Sequence, residues 1–210
     1  MDLLINETSR CLLVAAAPKE AHAVLEAFEC TSEAPLGIPV QLDDRFDLVR
    51  SGVGKSAAAA STMRALVLKD HRTVLSVGIA GALPSSNPIQ IGESICATRS
   101  AFSDEGVGAS DRFIPMSELG FPPFANGSMH IEHDPKIVDY LRSLTHHSGP
   151  IATVSWCSGD DQCAQGVVDR TGAIAEAMEG AACAQASQIL DPTIRTGELR
   201  VISNTTGDRT

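Results

Sequence analysis

VRSGVGKSAAAA, residues 49–60, contains Gly54-Lys55-Ser56, the ending of a phosphate-cradling loop. The complete triphosphate motif needs another glycine five residues before Gly54, and this chain has Val49 there. Without it, the wide loop whose backbone N–H groups wrap two phosphates cannot form. The stretch instead predicts a strand over 47–49, a tight turn at Ser51-Gly52-Val53-Gly54 and an alanine-rich helix from about Ser56. Gly52 and Gly54 supply the positive φ such a turn demands. A strand feeding a helix through a short turn is the building unit of an α/β fold.

The unit recurs outward from there. CLLVAAA (11–17) is a short apolar run suited to a buried strand, and Pro18 fits the first turn of a helix. That helix carries Val24, Leu25 and Phe28 at helical spacing. TVLSVGIAGAL (73–83), QIGESICATRS and IATVSWCSG predict three more strands, with a polar excursion, roughly 103–126, between the last two. PKIVDYLRSL predicts a helix begun by Pro135, AIAEAMEGAACAQASQIL another, and GELRVISN a final strand. The alternation predicts one α/β domain over 1–210, with a central mixed, largely parallel sheet flanked by helices. In such sheets ligands gather where strands end. AAAPKE, SVGIAGA, TVSWCSG and RVISN are therefore read as one site.

Bulk properties narrow the function. Of 210 residues, 43% are apolar and 20% charged, enough for a proper core. The formal charge of −10, with no basic stripe, argues against nucleic acid. No apolar run reaches the roughly 18 residues of a membrane span, and MDLLINETSR lacks the basic start of a signal peptide. Six cysteines without a C-x-x-C pair read as reduced thiols, so a cytoplasmic protein is expected.

Taken singly, the polar residues have ordinary readings. Glu20 at a helix start suits the helix dipole. Glu179 is the only charge in a small, apolar helical stretch, so it must be exposed, paired or functional. Asn204 can cap a turn, and Arg200 can pair with a carboxylate. His130 and His133 have no obvious third metal ligand and read as a surface loop. Asp104, Glu105, Asp160 and Asp161 read as solvated loop charges, and Cys157 as apolar packing. Neither metal nor cofactor is expected.

In chain order, AAAPKEA, SGVGKSAAAA, SVGIAGAL, TVSWCSGD, EAMEGAACAQ and RVISN resemble the nucleoside phosphorylase and nucleosidase superfamily, which includes the MTA/SAH nucleosidases, over nearly the whole chain. Within it, SDEGVGASDRFIPMSELGF (103–121) and ISNTTGDR (202–209) are similar to the futalosine hydrolases of menaquinone biosynthesis, which release hypoxanthine from futalosine. The resemblance implies that Glu20 activates water and that Glu179 accepts hydrogen bonds from the ribose 2′- and 3′-hydroxyls. Met178 then packs on the ribose, with Val53, Ile79, Ala80 and Gly81 beside sugar and water. Arg200, Ser203 and Asn204 fall at the purine-side strand end. In this family the Ser-Gly-x-Gly-Lys turn serves the nucleoside and cradles no triphosphate.

Adenine-specific relatives carry Asp where this chain has Asn204. An amide can donate to O6 or N7 of a 6-oxopurine, so hypoxanthine is expected over adenine. The superfamily's phosphorylases bind phosphate with a Gly-rich, Arg-containing loop after the first strand. AAAPKE has neither Gly nor Arg and carries Glu20, so water is the expected nucleophile. Family members continue past GDR with another helix, which this chain is expected to lack. The resemblance further implies a homo-oligomer. Another purine nucleosidase or phosphorylase, or a non-catalytic nucleoside-binding relic, are the alternatives. Arg112 is a candidate partner for the substrate carboxylate.

Overall fold

A computed structural model describes residues 10–109 and 112–206. Strand β1 (Arg10–Ala15) is buried at all but its first residue, as an interior strand with both faces covered must be. Alternate side chains go to opposite faces. Leu12 and Val14 join a core with Ala58, Ala65 and Ala181–Ala184, while Cys11, Leu13 and Ala15 pack with Ala21 and Leu25. The first face is covered by α2 (Lys55–Leu68) and α5 (Gly180–Leu190), the second by α1 (Pro18–Ala27). Small residues on α2 and α5 let these helices lie close together. Burial pushes the thiol of Cys11 up to about 12 and those of Cys96 and Cys183 up to about 11, so they behave as apolar packing groups.

The remaining elements are β2 (Pro39–Gln41), β3 (Phe46–Arg50), β4 (His71–Ala82), β5 (Ser94–Phe102), β6 (Gly106–Gly108), β7 (Phe113–Pro115), β8 (His130–Glu132), α3 (Pro135–Arg142), β9 (His147–Thr153), α4 (Asp161–Thr171), β10 (Ala175–Ala177) and β11 (Arg195–Thr205). The main sheet runs β10-β9-β5-β11-β4-β1-β3-β2, with β8 on β5. Five pairings are parallel and four antiparallel, so the sheet is mixed. β10 also pairs with β4, which closes β4, β11, β5, β9 and β10 into a ring.

Ring closure explains the main departure from the expected elements. AIAEAMEGAACAQASQIL is not one helix. Its Ala175–Ala177 portion is a strand between β9 and β4, and helix α5 begins only after Glu179. Ala and Glu favour helix intrinsically, and two flanking strands override that preference. Asp160 and Asp161 are not idle loop charges either. Asp160 accepts the Cys163 N–H at 2.7 Å as the N-cap of α4, and Asp161 lies in its first turn.

β11 carries the second irregularity. Its register against β4 shifts between Ile202, opposite Ala80, and Asn204, opposite Gly81. The unpaired extra residue is Ser203, and such a bulge re-aims the side chains beside it.

Candidate active site

The ends of β1, β4 and β11, the turn after β3 and the β10–α5 junction enclose a cavity of about 160 Å³. Glu20 stands at the third position of α1. Its Oε2 accepts the N–H groups of Ala16 and Ala17 at 3.1 and 2.7 Å, and its Oε1 accepts that of Ile79 at 2.9 Å. Three backbone donors from two elements thus hold the carboxylate in a single orientation at the cavity wall.

Glu179 stands opposite, at the N-cap position of α5, and is 5% exposed. Its Oε1 accepts the Gly54 N–H at 3.1 Å and its Oε2 the Met178 N–H at 3.3 Å. The Gly54 contact explains the glycine-lysine turn, whose backbone binds this protein's own carboxylate. Gly54 has φ of 95°, which aims its N–H inward, and Val53 lines the cavity. Lys55 turns away to pair with Asp104 and, at 3.4 Å, with Glu105. Asp104 also accepts the Ser155 N–H at 2.6 Å, so these two acids brace the excursion and are not free in solvent.

Nine of the ten expected site residues line this cavity: Glu20, Val53, Ile79, Ala80, Gly81, Met178, Glu179, Ser203 and Asn204. Arg200 does not. It lies beneath, 1% exposed, with Nη1 3.4 Å from Glu179, Nε donating to Glu198 at 2.8 Å and Nη2 donating to Ser76 at 2.8 Å. Burial opposes its charge, but Glu198 and then Glu179 outweigh that and hold its pKa above the ordinary value. Arg200 is therefore a brace under the carboxylates and not a wall of the cavity. Gly78 lets it approach: a Cβ there would strike the Glu20 carboxylate and lie 2.8 Å from Arg200 Nη1.

Asn204 is fixed by its neighbours. Its Oδ1 accepts the Ser203 hydroxyl at 2.9 Å and its Nδ2 donates to the Thr205 carbonyl at 3.1 Å, which among the described residues leaves a second amide N–H. Five residues outside the expected set also line the cavity: three alanines (Ala16, Ala17 and Ala177) and two with reactive side chains, Glu176 and Cys157. Glu176 was hidden inside a presumed helix. Cys157 follows the end of β9, where TVSWCSG already marked a strand end. Trp156 is 72% exposed, and neither it nor Arg112 is on the cavity wall.

His133 is not on a surface loop. It is 4% exposed, and its ring bonds the Ser100 hydroxyl at 2.7 Å and the Thr196 hydroxyl at 3.1 Å. Among the described residues no group of three or more His, Cys, Asp or Glu is arranged to hold a metal ion.

Residues 13–210 match the sequence pattern of the Phosphorylase superfamily. A futalosine hydrolase from Acidothermus cellulolyticus is 34% identical over 206 residues, covering 94% of this chain and 80% of that protein. One from Streptomyces coelicolor is 33% identical over 208 residues, covering 94% and 85%. The crystal structure of the 5′-methylthioadenosine/S-adenosylhomocysteine nucleosidase from Helicobacter pylori has the same fold. It superposes with a TM-score of 0.78 at 22% identity, covering 96% of this chain and 88% of that one. With this fold, this cavity and these relatives, the chain belongs to the phosphorylase superfamily and, within it, to the futalosine hydrolase family.

Proposed function

We propose that this protein hydrolyses the N-glycosidic bond of futalosine, releasing hypoxanthine and dehypoxanthine futalosine. The observation that carries the reading is one cavity of about 160 Å³ lined by two fixed carboxylates, Glu20 and Glu179, and one amide, Asn204. Breaking a ribose–purine bond gathers positive charge on the sugar and negative charge on the departing base. Glu179 accepts the ribose hydroxyls and stabilises the cationic sugar. Glu20 orients the attacking water as general base, and Met178 packs on the ribose. Asn204 donates to the purine as its charge grows, where a preorganised donor has most effect. Arg200 keeps Glu179 in place from below.

The test is chromatography of futalosine incubated with wild type and with Glu20→Gln. Wild type releases hypoxanthine, and the variant is slower by roughly 10²–10⁴ as for loss of a general base. Phosphate leaves the rate unchanged. Release that requires phosphate and yields a sugar phosphate would move the protein to the phosphorylases, and no release at all would favour the non-catalytic relic.

The partners in this reading are a small nucleoside and water, in the cytoplasm. No helix among the described residues is long and apolar enough to cross a membrane. A homo-oligomer is part of the same proposal. Leu36, Ile38 and Val53 are 58%, 43% and 59% exposed, and Leu36 lies against the turn at Gly52, so apolar surface borders the cavity mouth. Light scattering of the purified protein reads the assembly directly.

A further inference from the structure

Glu176 has no part in the reaction as described, yet it is a charged group, 2% exposed, on the wall of the same cavity. Its strand β10 sets it opposite Gly81 on one side of β4, while β11 sets Asn204 opposite Gly81 on the other. Both side chains come to the same place. A Cβ built on Gly81 would lie 3.2 Å from Asn204 Nδ2 and 3.6 Å from Glu176 Cγ. The Asn204 amide and the stem of Glu176 therefore both reach the Gly81 end of the cavity, and both residues line it.

The Glu176 carboxylate is aimed and not yet saturated. Its Oε1 accepts the Ser158 N–H at 2.7 Å and its Oε2 the Ser158 hydroxyl at 2.6 Å. Each oxygen has two lone-pair sites, and among the described residues Ser158 takes one on each, so the other can take a further donor. A buried acceptor that stays unused is costly, which makes a ligand N–H the natural complement.

We propose that Glu176 is a specificity-determining residue that accepts the N1–H of a 6-oxopurine, while the Asn204 amide donates to the adjacent O6. The inference rests on the purine reading of this cavity. A 6-oxopurine presents an acceptor at O6 next to a donor at N1, and amide beside carboxylate is the matching pair. Adenine presents the reverse, a donor at position 6 and a lone pair at N1, which would face the carboxylate. Glu176 thus adds a second point of discrimination to Asn204, and Ser158 positions it.

Calorimetric binding of hypoxanthine, 1-methylhypoxanthine and adenine to wild type, Glu176→Gln and Ser158→Ala tests this. Wild type binds hypoxanthine on the order of ten- to a hundredfold more tightly than either other base. Glu176→Gln, which can donate to N1 of adenine, narrows the hypoxanthine-to-adenine ratio by at least tenfold. Ser158→Ala removes the hydroxyl bond that helps aim Glu176 and narrows the same ratio, by less than Glu176→Gln does. Wild type that binds 1-methylhypoxanthine as well as hypoxanthine overturns the assignment, whatever the variants do. An unchanged ratio in Glu176→Gln overturns it too, leaving Glu176 as a mere anchor for the loop and the purine reading intact. Wild type that binds no base overturns the purine reading and this inference with it.

Discussion

Glu179 stands 3.4 Å from the guanidinium of Arg200, a side chain 1% exposed that also donates to Glu198 at 2.8 Å. One buried cation thus serves two nearly buried carboxylates. Removing it leaves both without their counter-charge, which costs far more than the intact pair contributes. Arg200→Met is expected to lose about 3–5 kcal/mol of stability, read as a shift in the urea midpoint. On the proposed reading it also loses most activity, because Glu179 loses the cation that braces it. A variant as stable as wild type would show that Glu198 and Glu179 do not depend on Arg200.

Gly78→Ala acts on the same cluster from above. The new methyl would strike the Glu20 carboxylate and crowd Arg200 Nη1, which has packing on every other side. Overpacking of this kind costs about 1–3 kcal/mol. Displacing Glu20 from the Ile79 N–H has a larger effect on turnover. Hypoxanthine release is expected to fall by on the order of a hundredfold while the melting temperature drops only modestly. Unchanged turnover would show that Glu20 tolerates displacement and is not the water-orienting group.

Most of this cluster was legible before the fold was known, because strand ends are legible. The short apolar runs before Glu20 and Asn204 predicted β1 and β11, and the glycine turn before Lys55 predicted the β3–α2 junction. Glu176 was not legible, since Ala-Glu-Ala favours helix and became a strand only through pairing with β4 and β9. α4 was missed for a related reason: only Ala164 and Val167 of its eleven residues are buried, too few for a periodic pattern. Arg200 lies on the strand the sequence predicts, but its side chain is beneath the cavity and not on its wall. A strand's alternation says that Glu198 and Arg200 share a face, not that this face lies beneath the cavity. His133 was misread because HIEHD looks like a polar loop, whereas its ring fills a buried gap between Ser100 and Thr196.

His133 gives the protein a pH dependence of known sign. Burial is the largest cause holding its pKa down at about 4, from an ordinary 6.5, with Glu198 pulling weakly the other way. The folded ring is therefore neutral where the unfolded one takes a proton. This contribution is fully present above pH 6.5 and is lost as pH falls toward 4, to a total of roughly 3 kcal/mol. His133→Gln keeps groups able to bond Ser100 or Thr196 but cannot be protonated. Between pH 7 and 5, wild type should lose more stability than the variant in paired denaturation curves. Parallel curves would show that His133 does not titrate in this way.

Asn204→Asp tests the base side of the site. The Asn204 amide is held by the Ser203 hydroxyl on its oxygen and the Thr205 carbonyl on its nitrogen, an arrangement that fixes which end donates. A carboxylate in its place cannot donate to Thr205 and presents an acceptor to the O6 of hypoxanthine, so acceptor faces acceptor. The penalty applies to the base as it takes up charge, and kcat/KM on futalosine should fall by on the order of a hundredfold or more. The 6-amino analogue of futalosine presents a donor there and should lose much less, or gain, so the ratio of the two substrates reports the change free of any general damage to the fold. Equal losses on both would mean that Asn204 maintains the bulge at Ser203 and does not read the base.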